Sequence, residues 1–202
     1  MDYRLYHAIN EFVLDHDWLG RFLVGLENWA VPLLAVATFG LWLLARPGGD
    51  RKWKLASASA LAAAALALII NQVIGQLWHR ERPFASHPSA HVWGSRSHDP
   101  SFPSDHASAA YAIAFAVFLF DRVAGSTFLL AATLIGVGRV FIGAHYPADV
   151  LAGVLVGLGA ALLVVRAGMP LLDRLVHLVE RVTDPSVARF WRWSHRSAAL
   201  RR

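Results

Sequence analysis

Long apolar stretches separated by short polar ones dominate this chain. Five of them, at about Leu19–Ala45, Leu55–Trp78, Ser104–Phe120, Ser126–Ala144 and Pro147–Val165, are predominantly hydrophobic. Roughly 20 such residues at about 1.5 Å rise each cross a hydrocarbon core of about 30 Å, so the pattern predicts transmembrane helices. Pro32 lies inside the first and is tolerable where neighbouring helices re-satisfy the freed backbone group. Glu27 in the same span is expected at headgroup level, with a buried functional pair as the alternative. Before the first span, Leu5, Ile9, Phe12 and Val13 recur at helical spacing between Asp2, Arg4, Glu11 and Asp15, the pattern of an interfacial helix. It lacks the cationic start and apolar run of a signal peptide and is expected to remain in the mature protein. The stretch from His79 to Pro103 is polar and broken by Pro83, Pro88, Pro100 and Pro103, so it reads as a loop outside the hydrocarbon. Asp121–Gly125 reads as a tight turn, and from Arg166 onward Leu171, Leu172, Leu175, Val176 and Val179 form the stripe of an amphipathic tail. The expected fold class is all-α: an integral membrane helical bundle of about five transmembrane helices plus an N-terminal interfacial helix, with residues 1–202 forming one domain.

Composition agrees: 56% of residues are hydrophobic and 16% charged, against about 25% charged in soluble domains. With no cysteine, disulfide frameworks, thiolate metal sites and cysteine nucleophiles are excluded, leaving His, Asp, Ser and Arg for any chemistry. The net charge of +5 sits in membrane-flanking segments, which favours anionic lipid headgroups over nucleic acid as partner. Thirteen of the nineteen Lys and Arg fall in the 46–54 loop, at Arg122 and in the tail from Arg166 onward. By the positive-inside rule these mark the cytoplasm, making 184–202 a basic cytoplasmic tail and turning the long loop outward. The expected location is the cell inner membrane, multi-pass, with the active site on the periplasmic or external side.

Three chemically rich clusters fall on that outer face: His79–Phe84, Ser101–His106, and Arg139 followed by His145 and Asp149. Asp149 four residues after His145 can hold one ring nitrogen and leave the other as a nucleophile. Taken alone, the pair is equally well a capping carboxylate and an interfacial histidine. Ser104 after Pro103 is a natural N-cap, which presents free N–H groups and a helix dipole to an anion, and His106 beside it is placed as a general acid. Arg82 and Arg139 supply planar forks for phosphate oxygens. Together these parts suit phosphoryl transfer through a phosphohistidine. The loop histidines His79, His87, His91 and His98 lack the spacing of common metal sites, so no metal and no other cofactor is expected.

Between about residues 75 and 149 the sequence resembles the type-2 phosphatidic acid phosphatases, whose pattern is Lys-x6-Arg-Pro, Pro-Ser-Gly-His and Ser-Arg-x5-His-x3-Asp. Arg82 and Pro83 match the first motif, Pro103, Ser104 and His106 the second, and Arg139, His145 and Asp149 the third. The resemblance implies that Arg82, Ser104 and Arg139 hold phosphate, that His106 protonates the leaving group, and that Asp149 orients the nucleophile His145. Three positions depart: Gly75 stands in place of Lys, Asp105 of Gly and Gly138 of Ser. Arg80, His79 or Gln76 are the nearby substitutes for the lost Lys. Pro-Ser-Asp-His with an Arg-Pro-Phe triplet resembles the bacitracin-resistance branch of undecaprenyl-diphosphatases. Asp105, from that motif, and Arg80, from the outer cluster of Arg80, Arg82, Arg96 and Arg139, join the expected phosphate-binding set. The implied reaction is hydrolysis of a polyprenyl diphosphate to the monophosphate and inorganic phosphate. Phosphatidic acid or phosphatidylglycerol phosphate is the alternative substrate. A transporter is the rival of another class, but it calls for polar residues midway along several spans rather than at helix ends.

Overall fold

The structure, a computed structural model, describes residues 2–45, 47, 51–94 and 96–199. Arg46 of the cationic loop and Arg201 and Arg202 of the tail lie outside the described residues. In chain order the elements are α1 (Asp2–Leu14), α2 (Asp17–Leu44), α3 (Lys52–Leu77), α4 (Pro83–Ser86), α5 (Asp105–Phe120), α6 (Arg122–Phe141), α7 (Pro147–Ala167) and α8 (Met169–Ala199), with no strand among the described residues.

Helices α2, α3, α6 and α7 are each long and apolar enough to cross a membrane. Helix α5, with 16 residues, is only about 24 Å long. It runs through the middle of the bundle, packed by α3, α6 and α7, so protein surrounds most of its length. Its small side chains make that possible: Ala107, Ser108, Ala112 and Ala116 are buried. Gly153 and Gly157 of α7 face them so closely that a Cβ on Gly153 would come within 2.8 Å of the Ala107 Cβ. Close backbone approach of this kind is how membrane helices gain contact without a hydrophobic driving force. Large apolar side chains instead point outward, among them Leu33, Val36, Leu151 and Leu155, as a lipid-facing surface requires.

Element ends differ from the expected ones for local reasons. The turn over 121–125 shrinks to Asp121, whose Oδ1 accepts from the N–H groups of Val123 and Ala124 at 3.1 Å each and so starts α6 at Arg122. Gly125 is then a packing residue, since a Cβ there would overlap Phe118. Helix α6 stops at Phe141 because the chain reverses at Gly143, whose φ of +82° favours glycine. At the end of the bundle marked by Asp121 the cations of residues 51–54 are paired. Arg51 meets Asp173 at 2.8 Å, Lys52 meets Asp121 at 2.8 Å and Lys54 meets Asp184 at 2.7 Å. The tail helix α8 thus docks through its acids, and the two cation-rich segments counted to one side do share one end.

Candidate active site

All three sequence clusters meet at the opposite end. The Ser104 N–H donates to the Asp149 carbonyl at 3.1 Å, joining the starts of α5 and α7, and the Ser101 N–H donates to the Arg80 carbonyl at 2.7 Å. At Gly143 a Cβ would collide with the His91 carbonyl oxygen. The reversal there lets the N–H groups of Ala144 and His145 donate to the Arg139 carbonyl at 3.0 and 3.3 Å. Pro147 then opens α7 at a position suited to its fixed φ.

Asp149 is fully buried, at 0% exposure. Its Oδ2 accepts from the Tyr146 N–H at 2.9 Å and from Ser101 Oγ at 2.6 Å, and its Oδ1 accepts from Arg80 Nη1 at 2.6 Å. The carboxylate is a cap and a charge partner at once. His145 is 1% exposed. Its Nδ1 lies 2.8 Å from the Ser101 carbonyl oxygen but 3.7 Å from Asp149 Oδ2. The expectation that Asp149 holds the ring directly is therefore modified: the Ser101 carbonyl is the nearest partner, and Asp149 acts on the ring through Ser101 and its own nearby charge. A carbonyl only accepts, so Nδ1 carries the proton and Nε2 presents a lone pair. Burial pushes the imidazole down to about 4; Asp149 opposes that shift, and the charges of Arg139 and Arg82 reinforce it. The ring is neutral near pH 7.

Nε2 faces Arg82, whose Nη1 lies 3.3 Å away and also donates to the Ala144 carbonyl at 3.3 Å, while its Nε donates to the Asp99 carbonyl at 3.0 Å. Backbone carbonyls thus aim this guanidinium across the lone pair. Arg80 is placed differently from a free phosphate fork. Its second nitrogen donates to Asp2 at 2.6 Å and its plane lies 4.1 Å from the Tyr146 ring centroid. Asp2 also accepts from the Ala148 N–H at 3.1 Å, so α1 closes over the start of α7.

Arg139 is 5% exposed and ion-paired with Glu27, and its Nε has no acceptor among the described residues. This corrects the reading of Glu27 as a headgroup-level carboxylate. A buried guanidinium draws in an anion from another helix because its charge is costly unpaired. Ser104 is fully buried and its Oγ accepts from the Ala107 N–H at 3.4 Å. As the first helical residues, Asp105 and His106 have N–H groups with no intrahelical acceptor. The half-buried His106 ring makes no hydrogen bond among the described residues. The Asp105 carboxylate accepts from Asn71 at 2.7 Å, so its side chain is committed to an amide and not to an anion. At Gly75 a cavity of about 120 Å³ opens between Gln72, Gln76, Asp99 and Asp105. Of the substitutes for the family Lys, Gln76 lines this space and Arg80 is held by Asp2 and Asp149. Among the described residues no three metal-capable side chains converge.

Sequence reasoning passed over Ser101, Asp2, Asn71 and Tyr146 as parts of this site. Only Ser101 carried a signal, its place at the head of Ser-Phe-Pro-Ser-Asp-His.

The chain is similar to known proteins along most of its length. The chain is 31% identical over 159 residues to the bacitracin transport permease protein BcrC of Bacillus licheniformis, covering 79% of this chain and 76% of that one. It is 28% identical over 187 residues to the undecaprenyl-diphosphatase BcrC of Bacillus subtilis, covering 91% and 94%. The solved structure of Aquifex aeolicus LpxE superimposes with a TM-score of 0.67 at 22% identity, over 82% of this chain and 94% of that one. Residues 56–171 match the PAP2 superfamily. With all three motifs at one end of a helical bundle, the chain belongs to the PAP2 superfamily and is a membrane phosphatase of that family.

Proposed function

We propose that this protein hydrolyses undecaprenyl diphosphate to undecaprenyl phosphate and inorganic phosphate at the outer face of the inner membrane, using residues 79–149 of a single domain. The observation that carries the chemistry is the His145 ring: Nδ1 held by the Ser101 carbonyl at 2.8 Å, Nε2 unprotonated and faced by Arg82 at 3.3 Å. Nε2 attacks the terminal phosphorus and the bond to the bridging oxygen breaks. His106 gives its proton to the departing polyprenyl phosphate. It then takes a proton from water, which attacks the phosphohistidine, releases inorganic phosphate and frees His145. Arg82, Arg139 and the N-terminal N–H groups of α5 around Ser104 bind the phosphoryl oxygens. Arg80 positions Asp149 rather than touching substrate. The chemistry needs no metal, because the guanidinium groups and the helix end supply the positive field.

The substrate rests on the Pro-Ser-Asp-His and Arg-Pro-Phe motifs and on the relative named undecaprenyl-diphosphatase. Another relative is named a transport permease, yet the ionisable groups here cluster at helix ends and do not line a path. The test is phosphate release by purified protein from undecaprenyl diphosphate and phosphatidic acid in matched detergent. Higher kcat/KM on the diphosphate is expected, with an acid-labile phosphoryl adduct on His145 during turnover. Equal or better turnover of phosphatidic acid would assign a general lipid phosphatase. On the same reading, expression raises bacitracin tolerance. For the outward orientation, cysteine at exposed Ser89 should label from outside, and cysteine at exposed His177 only after permeabilisation.

A further inference from the structure

A cleft of about 240 Å³ lies between α2 and α6, with walls from Leu26, Leu33 and Ala37 on one side and Ala131, Leu134 and Ile135 on the other. Its lining is apolar throughout. Leu33 and Leu134 stand at its open edge, each 57% exposed, so it faces the lipid. From Leu26 to Ala37 it runs about 16 Å along α2. Its upper end narrows into a slit that shares Leu26, Leu134 and Ile135 and finishes at Glu27, Gly138 and Arg139. The slit ends at Arg139, whose buried Nε has no acceptor among the described residues. Gly138 contributes no side chain there, and a Cβ would meet nothing nearer than Leu23 at 3.8 Å.

We infer that this cleft is a subsite for the apolar chain of the lipid substrate, holding the segment next to the phosphate while the rest lies in the bilayer. The two halves complement the two halves of an amphiphile: a buried guanidinium with an open donor for the anionic head, and below it an apolar trough for the tail. A partner helix or a lipid without an anionic head would satisfy the trough and leave Arg139 Nε unfilled. The inference rests on the phosphatase reading for the identity of the lipid, but not for its place of binding.

Two measurements test it. First, a polyprenyl monophosphate carrying a photoreactive group near its head is cross-linked to the full-length protein in nanodiscs, and the adducts are mapped. Adducts on Leu33, Ala37 or Leu134 are expected; adducts confined to other helices would overturn the subsite. Second, Ala37→Trp and Ala131→Trp fill the trough, with Leu155→Trp on the lipid face of α7 as control. KM for undecaprenyl diphosphate should rise at least about fivefold in both trough variants, with kcat/KM for a five-carbon prenyl diphosphate, too short to reach Ala37 or Ala131, within about twofold of wild type. An unchanged long-chain KM, or equal losses on both chain lengths, would overturn it. Ala37 is exposed, so its variant carries the test if Ala131→Trp does not fold. Failure of the wild-type protein to hydrolyse either diphosphate would sink the phosphatase reading, while the cross-links would still decide the cleft.

Discussion

Lys54 and Arg139 are buried cations at opposite ends of the same bundle, 2% and 5% exposed, and they are solvated by protein in opposite ways. Lys54 Nζ meets Asp184 at 2.7 Å and Glu180 at 3.2 Å, two carboxylates for one ammonium. Arg139 meets one carboxylate, Glu27, and keeps a buried Nε without an acceptor. The first arrangement is closed: charge and donors are matched within the protein, and it ties α8 to α3. The second is open, with donor capacity to spare in a place where water is scarce. Burial alone does not distinguish an anchor from a site; what distinguishes them is whether the buried group's bonding is complete without a ligand.

The largest effects should come from the open end. On the proposed mechanism His145→Ala removes the atom that takes the phosphoryl group, and turnover should fall by at least about 10³-fold while circular dichroism and detergent gel-filtration profiles stay those of the wild type. Retained phosphatase activity would remove His145 from the mechanism. Arg139→Ala should lower kcat/KM by roughly 10²-fold. Arg139→Lys should recover little, because a point charge does not replace a fork that serves Glu27 and a phosphate together. Full recovery by lysine would reduce Arg139 to a counter-ion and erase its contrast with Lys54.

The pH dependence sharpens the same point. Burial lowers the His145 imidazole to about 4, and the proposed nucleophile must be unprotonated. Its acid limb in kcat/KM should therefore lie near pH 4 and not near 6.5. At pH 5 the two cases differ by roughly thirtyfold in free imidazole. Stability follows with a defined sign: between about pH 4 and 6.5 the unfolded chain takes up the proton that folded His145 refuses, so stability falls as pH falls through that window. Ser101→Ala should cost less, about tenfold in kcat. It removes one hydrogen bond to Asp149 but leaves the Ser101 carbonyl that holds Nδ1. An unchanged rate would leave Asp149 held well enough by Tyr146 and Arg80.

Much of the fold was legible because lipid makes backbone satisfaction local. Helices must close their own hydrogen bonds, so apolar length predicts spans almost directly. What periodicity did not show was that α5 is an enclosed strut, because a run of alanine looks alike whether it faces lipid or Gly153. The residues of the site were legible through spacing: His145 and Asp149 lie on one short segment, and Ser104 announces a cap. Glu27 and Asp2 were not, since they act on Arg139 and Arg80 across 112 and 78 positions of sequence, and no local pattern encodes a partner on another helix. Ser101 escaped for a different reason. Its decisive group toward His145 is a main-chain carbonyl, which every residue carries.

The smallest effect on turnover should come from the closed end, where Lys54→Met tests the comparison from the other side. Removing the ammonium strands Asp184 and leaves Glu180 to Arg51 at 3.0 Å, with the two carboxylates 24% and 11% exposed on their side chains. They are near enough to solvent to relax, so the loss should be on the order of 1–3 kcal/mol, below the usual cost of breaking a fully buried pair. A melting temperature lower by several degrees is expected, with kcat and KM on the lipid diphosphate within about twofold of wild type. Adding Asp184→Asn to Lys54→Met removes the stranded charge, while Glu180 keeps its pair with Arg51, and should recover most of the lost stability. A merely local packing defect would not respond to that carboxylate. If Lys54→Met instead abolished turnover in a folded protein, the anchor would be coupled to the site through α3, and the division of the bundle into a closed end and an open end would fail.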